Sequence, residues 1–231
     1  MENIKEQLEA IRSKLDRLKE LDRNYSGFGS ESHKYKLNKR LTQSDIKQYQ
    51  IKYNIILPEE YAQFLMHIGN GGAGPCYGLL PLEENENSIN ISEVFPYQFE
   101  SPFYLEGKYD EFYERMDECE SLDEEDAVCE ELNEIKDREY LNSLKGFIDL
   151  NHEGCAMYNI LIVNGKDHGC VWFFDFSDDF GTVPLINPES SKPMRFLDWY
   201  ELWLDEQIEF FENKTKGKTG FGSYISYAKP K

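Results

Sequence analysis

Ile4, Leu8, Ile11, Leu15 and Leu18 recur at spacings of four, three, four and three residues among charged positions. That period predicts an amphipathic helix over the first 22 residues, with an a/d seam on one face. Two to three heptads make a short coiled coil, so the seam either packs on its own domain or pairs two copies of the chain. Asn24–Ser32 (NYSGFGSES), with two glycines and three serines, reads as a linker. Thr42 followed three residues later by Asp45 has the form of a capping box and opens a second helix, with Ile46, Tyr49 and Tyr53 inward. Pro58, then Glu59 and Glu60, suits the first turn of a third helix. Its buried stripe is Tyr61, Phe64, Leu65 and Ile68, and Gly69 and Asn70 end it. Gly78–Leu82 (GLLPL) resembles a short strand.

Tyr109, Phe112, Tyr113 and Met116 suggest one more helix, and Val128, Leu132 and Ile135 another. From Lys145 the pattern turns to strands. Gly146–Asn151 (GFIDLN) is followed by Cys155–Val163 (CAMYNILIV), the turn NGKDHG and Gly169–Phe176 (GCVWFFDF). Arms this apolar read as an interior hairpin covered by helices. Thr182–Asn187 (TVPLIN) is expected at an edge, because Pro184 would interrupt a central strand. Arg195–Glu212 closes the domain as a helix burying Phe196, Trp199, Tyr200, Trp203, Leu204 and Ile208. The fold class is therefore α+β, a mixed or antiparallel sheet flanked by helices.

Charge changes this picture. The net charge is −19 in 231 residues, and it is unevenly spread. Residues 1–40 hold 10 Lys/Arg against 7 Asp/Glu, whereas residues 83–144 hold 4 against 21, a net of −17. The end of the chain, 213–231, carries five lysines and no acid, and reads as a flexible basic tail. Apolar stripes inside 83–144 argue for an acidic helical insertion and against a disordered tract. A body this acidic repels DNA and anionic membranes and attracts basic partners. No apolar run approaches the roughly 20 residues of a membrane span. A charged N-terminus without a signal-peptide core and an odd number of cysteines (five) point to a cytoplasmic chain with reduced thiols.

The run Ile55–Gly72 (IILPEEYAQFLMHIGNGG) resembles the signature of the SUKH superfamily, the Smi/Knr-like domain. The residues that carry it are Leu57, Pro58, Tyr61, Phe64, Leu65, Gly71 and Gly72. Asn164-Gly165, Gly169-Cys170-Val171-Trp172 and Phe196-Leu197-Asp198-Trp199 are similar to that family's hairpin and closing helix. The resemblance covers about 41–82 and 145–212 of a domain spanning 41–212, and leaves outside it 1–40, the insertion 83–144 and the tail. Apart from any family, Leu57 can staple the start of a helix and Gly71 and Gly72 permit positive φ. Trp172 and Trp199 bring large buried areas. The resemblance implies a scaffold used widely as the immunity half of bacterial toxin–immunity pairs, which binds and blocks a toxin domain, often a nuclease. A second branch, resembling the yeast cell-wall regulators, implies a signalling and scaffolding module.

Catalytic and cofactor chemistry finds little support. Gly69–Gly74 satisfies G-x-G-x-x-G literally, but it follows a helix and leads to Pro75, the wrong context for a dinucleotide site. His152, Cys155, His168 and Cys170 suggest zinc until the hairpin is built. With Val163 opposite Cys170, Cys155 lies roughly 26 Å from Cys170 at about 3.3 Å per residue, far beyond a shared ion. His67 lies near a helix stripe and His33 in a loop, and neither has a nucleophile in view. The expectation is a binding protein, not an enzyme, with no cofactor and no metal. Its partner-binding face is expected at Glu114, Asp117, Glu118, Glu120, Asp123, Glu124, Glu125, Asp126, Glu130 and Glu131, with Tyr109, Phe112 and Tyr113 either as anchors or as the insertion's own core. A basic cognate toxin is the expected partner, to the exclusion of nucleic acid and membrane; the alternative is a regulatory scaffold with several partners.

Overall fold

A computed structural model describes residues 2–84, 88–175 and 181–213. Helix α1 (Glu2–Leu21) lies beside the closing helix, which spans Phe196–Asn213, and crosses the helix Glu59–His67. Leu8, Ile11, Leu15 and Leu18 are all buried there. The seam is thus occupied within the chain and is not left open to a second copy. Burying each such side chain stabilises by about 1.5–3 kcal/mol. The ion pairs alongside, Lys14 to Glu201 and Asp205 and Arg17 to Glu212, are part-exposed and add roughly 0–1 kcal/mol each. The apolar seam therefore holds α1, and the charges set its register.

The segment expected to be a linker is instead locked in place. The Asp22 carboxylate accepts hydrogen bonds from the Ser26 amide (2.7 Å), the Gly27 amide (3.0 Å), the Ser26 hydroxyl (2.9 Å) and the Tyr35 hydroxyl (2.7 Å). Burial alone would raise its pKa; these donors outweigh burial and hold the carboxyl below its ordinary range. Short helix α2 (Ser30–His33) follows, and His33 is buried with its Nδ1 accepting from the Tyr35 amide at 3.0 Å. Desolvation pulls the imidazole down to about 4, against the opposing charge of Asp22, so it stays neutral. Glycine and serine supplied tight turns here, closed by one acid.

Helix α3 (Gln43–Tyr53) begins with the expected capping box: Thr42 Oγ1 accepts from the Asp45 amide, and Asp45 accepts from the Thr42 amide. Pro58 caps α4 (Glu59–His67), which buries Tyr61, Phe64 and Leu65. Gly71 and Gly72 follow at φ 84° and 97°, and a Cβ on Gly72 would stand 2.4 Å from the Lys36 carbonyl oxygen. Gly78–Leu82 makes a single bridge, Gly72 to Leu79, and not a strand.

The sheet holds five antiparallel strands in the order β1-β5-β4-β3-β2. They are β1 (Phe103–Tyr104), β2 (Phe147–Gly154), β3 (Met157–Ile162), β4 (Val171–Asp175) and β5 (Gly181–Pro184). Between β1 and β2 come helices α5 (Asp110–Asp117) and α6 (Leu122–Ser143), and α7 (Phe196–Asn213) closes the chain. Both faces of the sheet are buried. Ile148, Leu150, Leu161, Val171, Phe173 and Val183 meet the helices, while Phe147, Ile160, Ile162, Trp172 and Phe174 are covered by Phe95, Leu144 and Tyr97.

Three strand readings need correction. β5 is not an edge: it lies between β4 and β1. Strand β1 reaches only Gly181 and Thr182, so Pro184 sits where no neighbour requires its missing N–H. Strand β3 starts at Met157, because Cys155 and Ala156 (φ 49° and 61°) form the two-residue turn after β2. Ile162, not Val163, stands opposite Cys170. The expected basic tail lies outside the described residues beyond Asn213, which itself ends α7.

Candidate functional site: an acid-tipped helical hairpin

Helices α5 and α6 pack against each other and carry most of the acidic stretch. Leu132 of α6 is buried and its Val128 and Ile135 are half-buried, as are Phe112 and Met116 of α5. Cys129 Sγ lies 4.0 Å from Met116 Sδ. The base is pinned by polar contacts. Tyr109 donates its hydroxyl proton to Glu139 at 2.6 Å, and Lys108 pairs with Glu139 at 3.2 Å. Lys136 donates to the Tyr113 hydroxyl at 3.1 Å and stands 4.9 Å over the Tyr109 ring. Arg115 pairs with Glu131 at 2.7 Å. Three of the stretch's four cations thus hold the hairpin's own structure. Tyr140 near the end of α6 meets Phe174 of the sheet at 6.4 Å between rings, so the hairpin is joined to the domain at its foot.

The far end is different. Glu114 and Asp117 lie on α5, Glu118 and Glu120 in the link, and Asp123, Glu124, Glu125, Asp126, Glu130 and Glu131 on the first turns of α6. All ten are exposed. Glu124 accepts from the Glu120 amide at 3.0 Å, completing the start of α6 with the Ser121 cap, and Glu131 has Arg115. The other eight have no ion-pair partner among the described residues. Asp123, Glu124 and Glu125 suit the positive end of the α6 dipole, but Asp117 and Glu118 sit at the negative end of α5. Such misplaced charges cost roughly 0.3–1 kcal/mol each at low ionic strength. The tip carries more negative charge than folding of the hairpin asks for.

Of the three aromatics, Tyr109 is buried and Phe112 half-buried, and both belong to the hairpin's own core; Tyr113 alone is exposed. The apolar side chain at the tip is Leu122, 77% exposed and flanked by carboxylates. It lies off the Val128–Leu132–Ile135 stripe, which was its signal in the sequence. Desolvation, then the neighbouring Glu124 and Glu125 charges, push the Cys119 thiol up, away from nucleophilic use.

The other motif residues build the platform. Leu57 is buried and its amide donates to Gln50 at 2.8 Å. Tyr61 and Phe64 meet the Phe196 ring edge-on at 4.8 and 5.1 Å. Trp172 and Trp199 are buried on opposite sides of the sheet. Tyr200, expected only as a buried helix residue, and Asn70, expected only as a helix end, both anchor the glycine loop: Tyr200 donates to the Ala73 carbonyl at 2.8 Å, and Asn70 accepts from the Leu82 amide at 2.8 Å. No group of three or more His, Cys, Asp or Glu able to hold a metal occurs among the described residues. No described helix is long and apolar enough to cross a membrane.

An antiparallel sheet buried between helices and an elaborated loop layer, with Pro58 starting α4 and paired glycines after it, defines an α+β domain of the SUKH type. The chain belongs to the SMI1 / KNR4 family (SUKH-1), whose family model matches residues 40–194, about two thirds of its length. That span runs through the acidic hairpin and stops just before α7. No curated protein and no solved structure matches the chain.

Proposed function

We propose that this protein is an immunity protein, of the kind found in bacterial toxin–immunity pairs, which neutralises a basic cognate toxin by binding it and carries out no catalysis. The observation that supports the reading is the hairpin tip, where eight exposed carboxylates lack an ion-pair partner among the described residues, while Lys108 and Lys136 are engaged nearer the base and Arg115 with Glu131. A nuclease must bind phosphate and so presents Lys and Arg. A dense carboxylate face occupies such a surface as a phosphate substitute and speeds encounter. Leu122 supplies apolar contact at the same end. Family membership supports a protein partner.

Co-expression with the toxin domain encoded beside this gene tests the reading. Relief of toxicity, and recovery of one basic partner in equal amount, are the expected results. Unrelieved toxicity, with many substoichiometric partners recovered instead, would favour the regulatory scaffold.

A further inference from the structure

At the turn end of β2 and β3, on the helix-facing side of the sheet, three polar side chains are buried together. Asn151, Glu153 and Asn159 are each at most 1% exposed. Asn159 Nδ2 donates to Asn151 Oδ1 at 2.8 Å and also to Glu153 Oε1. Asn151 Nδ2 in turn donates to the Pro75 carbonyl at 3.3 Å, which ties the hairpin to the loop after the glycine run. Two atoms are left over, Glu153 Oε2 and Asn159 Oδ1, with no hydrogen-bond partner among the described residues.

The leftover pair is informative. A carboxylic acid and a primary amide close a ring through two bonds, amide N–H to carboxyl C=O and carboxyl O–H to amide C=O. The first of these is present. The second would join the two orphans and needs one proton on Oε2. As a carboxylate, Glu153 would instead leave two buried acceptors unsatisfied.

The described residues around it supply no counter-charge. Asp175 on β4 is placed on the same face by register, since the strand alignment sets it opposite Met157. His152 on the same strand is stacked with Tyr77 and lies tilted against Tyr158. Cys155 lies in the turn, and Cys76 and Tyr77 lie in the loop from Ala73 to Leu79. None of these is a Lys or Arg.

We propose that Glu153 is protonated in the folded protein at weakly acidic pH and donates to Asn159 Oδ1, so that a closed acid–amide pair clamps the β2–β3 hairpin to the Pro75 loop. Burial, partly offset by the Asn159 bond, pushes this carboxyl up to about 7, in agreement with the geometry. The clamp is then proton-linked. The folded state binds a proton that the unfolded chain releases near its ordinary value of 4.5, so this contribution is complete below about 4.5 and is lost as pH rises toward 7. It is independent of the toxin reading, because it concerns the sheet and not the acidic tip.

Glu153→Gln provides the test, because an amide keeps both ring bonds without a titrating proton. Denaturant unfolding of the full chain is measured for both proteins from pH 4 to 8. The ratio of folding constants, variant over wild type, should rise by up to about tenfold per pH unit between roughly 4.5 and 7 and then level off. A ratio that is flat or falls with pH would overturn the proposal. Should the variant not fold, side-chain carboxyl carbon NMR of the wild type still decides. One glutamate titrating near 7 supports the clamp, and a full set titrating in the ordinary range refutes it.

Discussion

The sheet with its covering helices and the α5–α6 hairpin use their residues in opposite ways. In the sheet region, large side chains such as Trp172, Phe64 and Tyr200 are fully buried and their rings interlock edge to face. Asp22 and Asn151 are likewise spent on internal bonds. The hairpin has one buried stripe, a pinned base and a tip whose charges oppose one another and in part oppose their own helix dipole. The first region is organised for stability. The second gives some stability up, which is the pattern expected where surface chemistry serves a partner.

Mutations should separate the two. Trp172→Ala removes a side chain that is 0% exposed and packs against Phe95, and it should destabilise the fold by about 3–5 kcal/mol. Chemical unfolding would show this as a lower midpoint, with partner binding lost only in proportion to the unfolded fraction. The buried Trp172 indole N–H has no acceptor among the described residues, so the loss is of packing and not of a hydrogen bond.

Converting the eight unpaired tip carboxylates to their amides should do the reverse. Association with a basic partner should slow by roughly 10- to 1,000-fold at low salt, while the melting temperature stays put or rises. Stopped-flow binding and calorimetry on one preparation measure both. A fall in stability comparable to that of Trp172→Ala would erase the distinction between the regions.

Asp22→Asn probes the connection from α1 through α2 to Tyr35 and should cost about 1–3 kcal/mol through bonds left unmade. The sign of its pH dependence is fixed. A carboxyl held below its ordinary value of 3.8 contributes stability above that value and loses it as pH falls through the depressed one. The gap between wild type and variant should therefore narrow in acid, as followed by urea titrations at successive pH values. Leu122→Ala is the mildest change: stability should not move, and the complex should dissociate a few times faster.

Legibility followed the same division. Helices with a strong apolar period and a chemical start signal, such as α3 with Thr42 and Asp45, could be read directly, because local forces dictate them. The hairpin's two helices and its exposed acids were legible from Leu132 and from charge density alone. Long-range pairings were harder to read. Pro184 marked an edge strand, but the deciding fact was the shortness of β1, set by residues about 80 positions away. The Asn24–Ser32 turns looked like a linker because the bonds that one neighbouring carboxylate, Asp22, accepts leave no periodic trace. The acid–amide pair of Glu153 and Asn159 depends on a β-bulge that no spacing rule reports.

The most direct test of the binding account is the association rate of this protein with the proposed toxin partner across ionic strength. Carboxylates that steer a cationic surface should make the rate fall steeply as salt rises, and the amide-substituted tip should flatten the dependence. A wild-type rate identical in dilute buffer and concentrated salt would contradict the account.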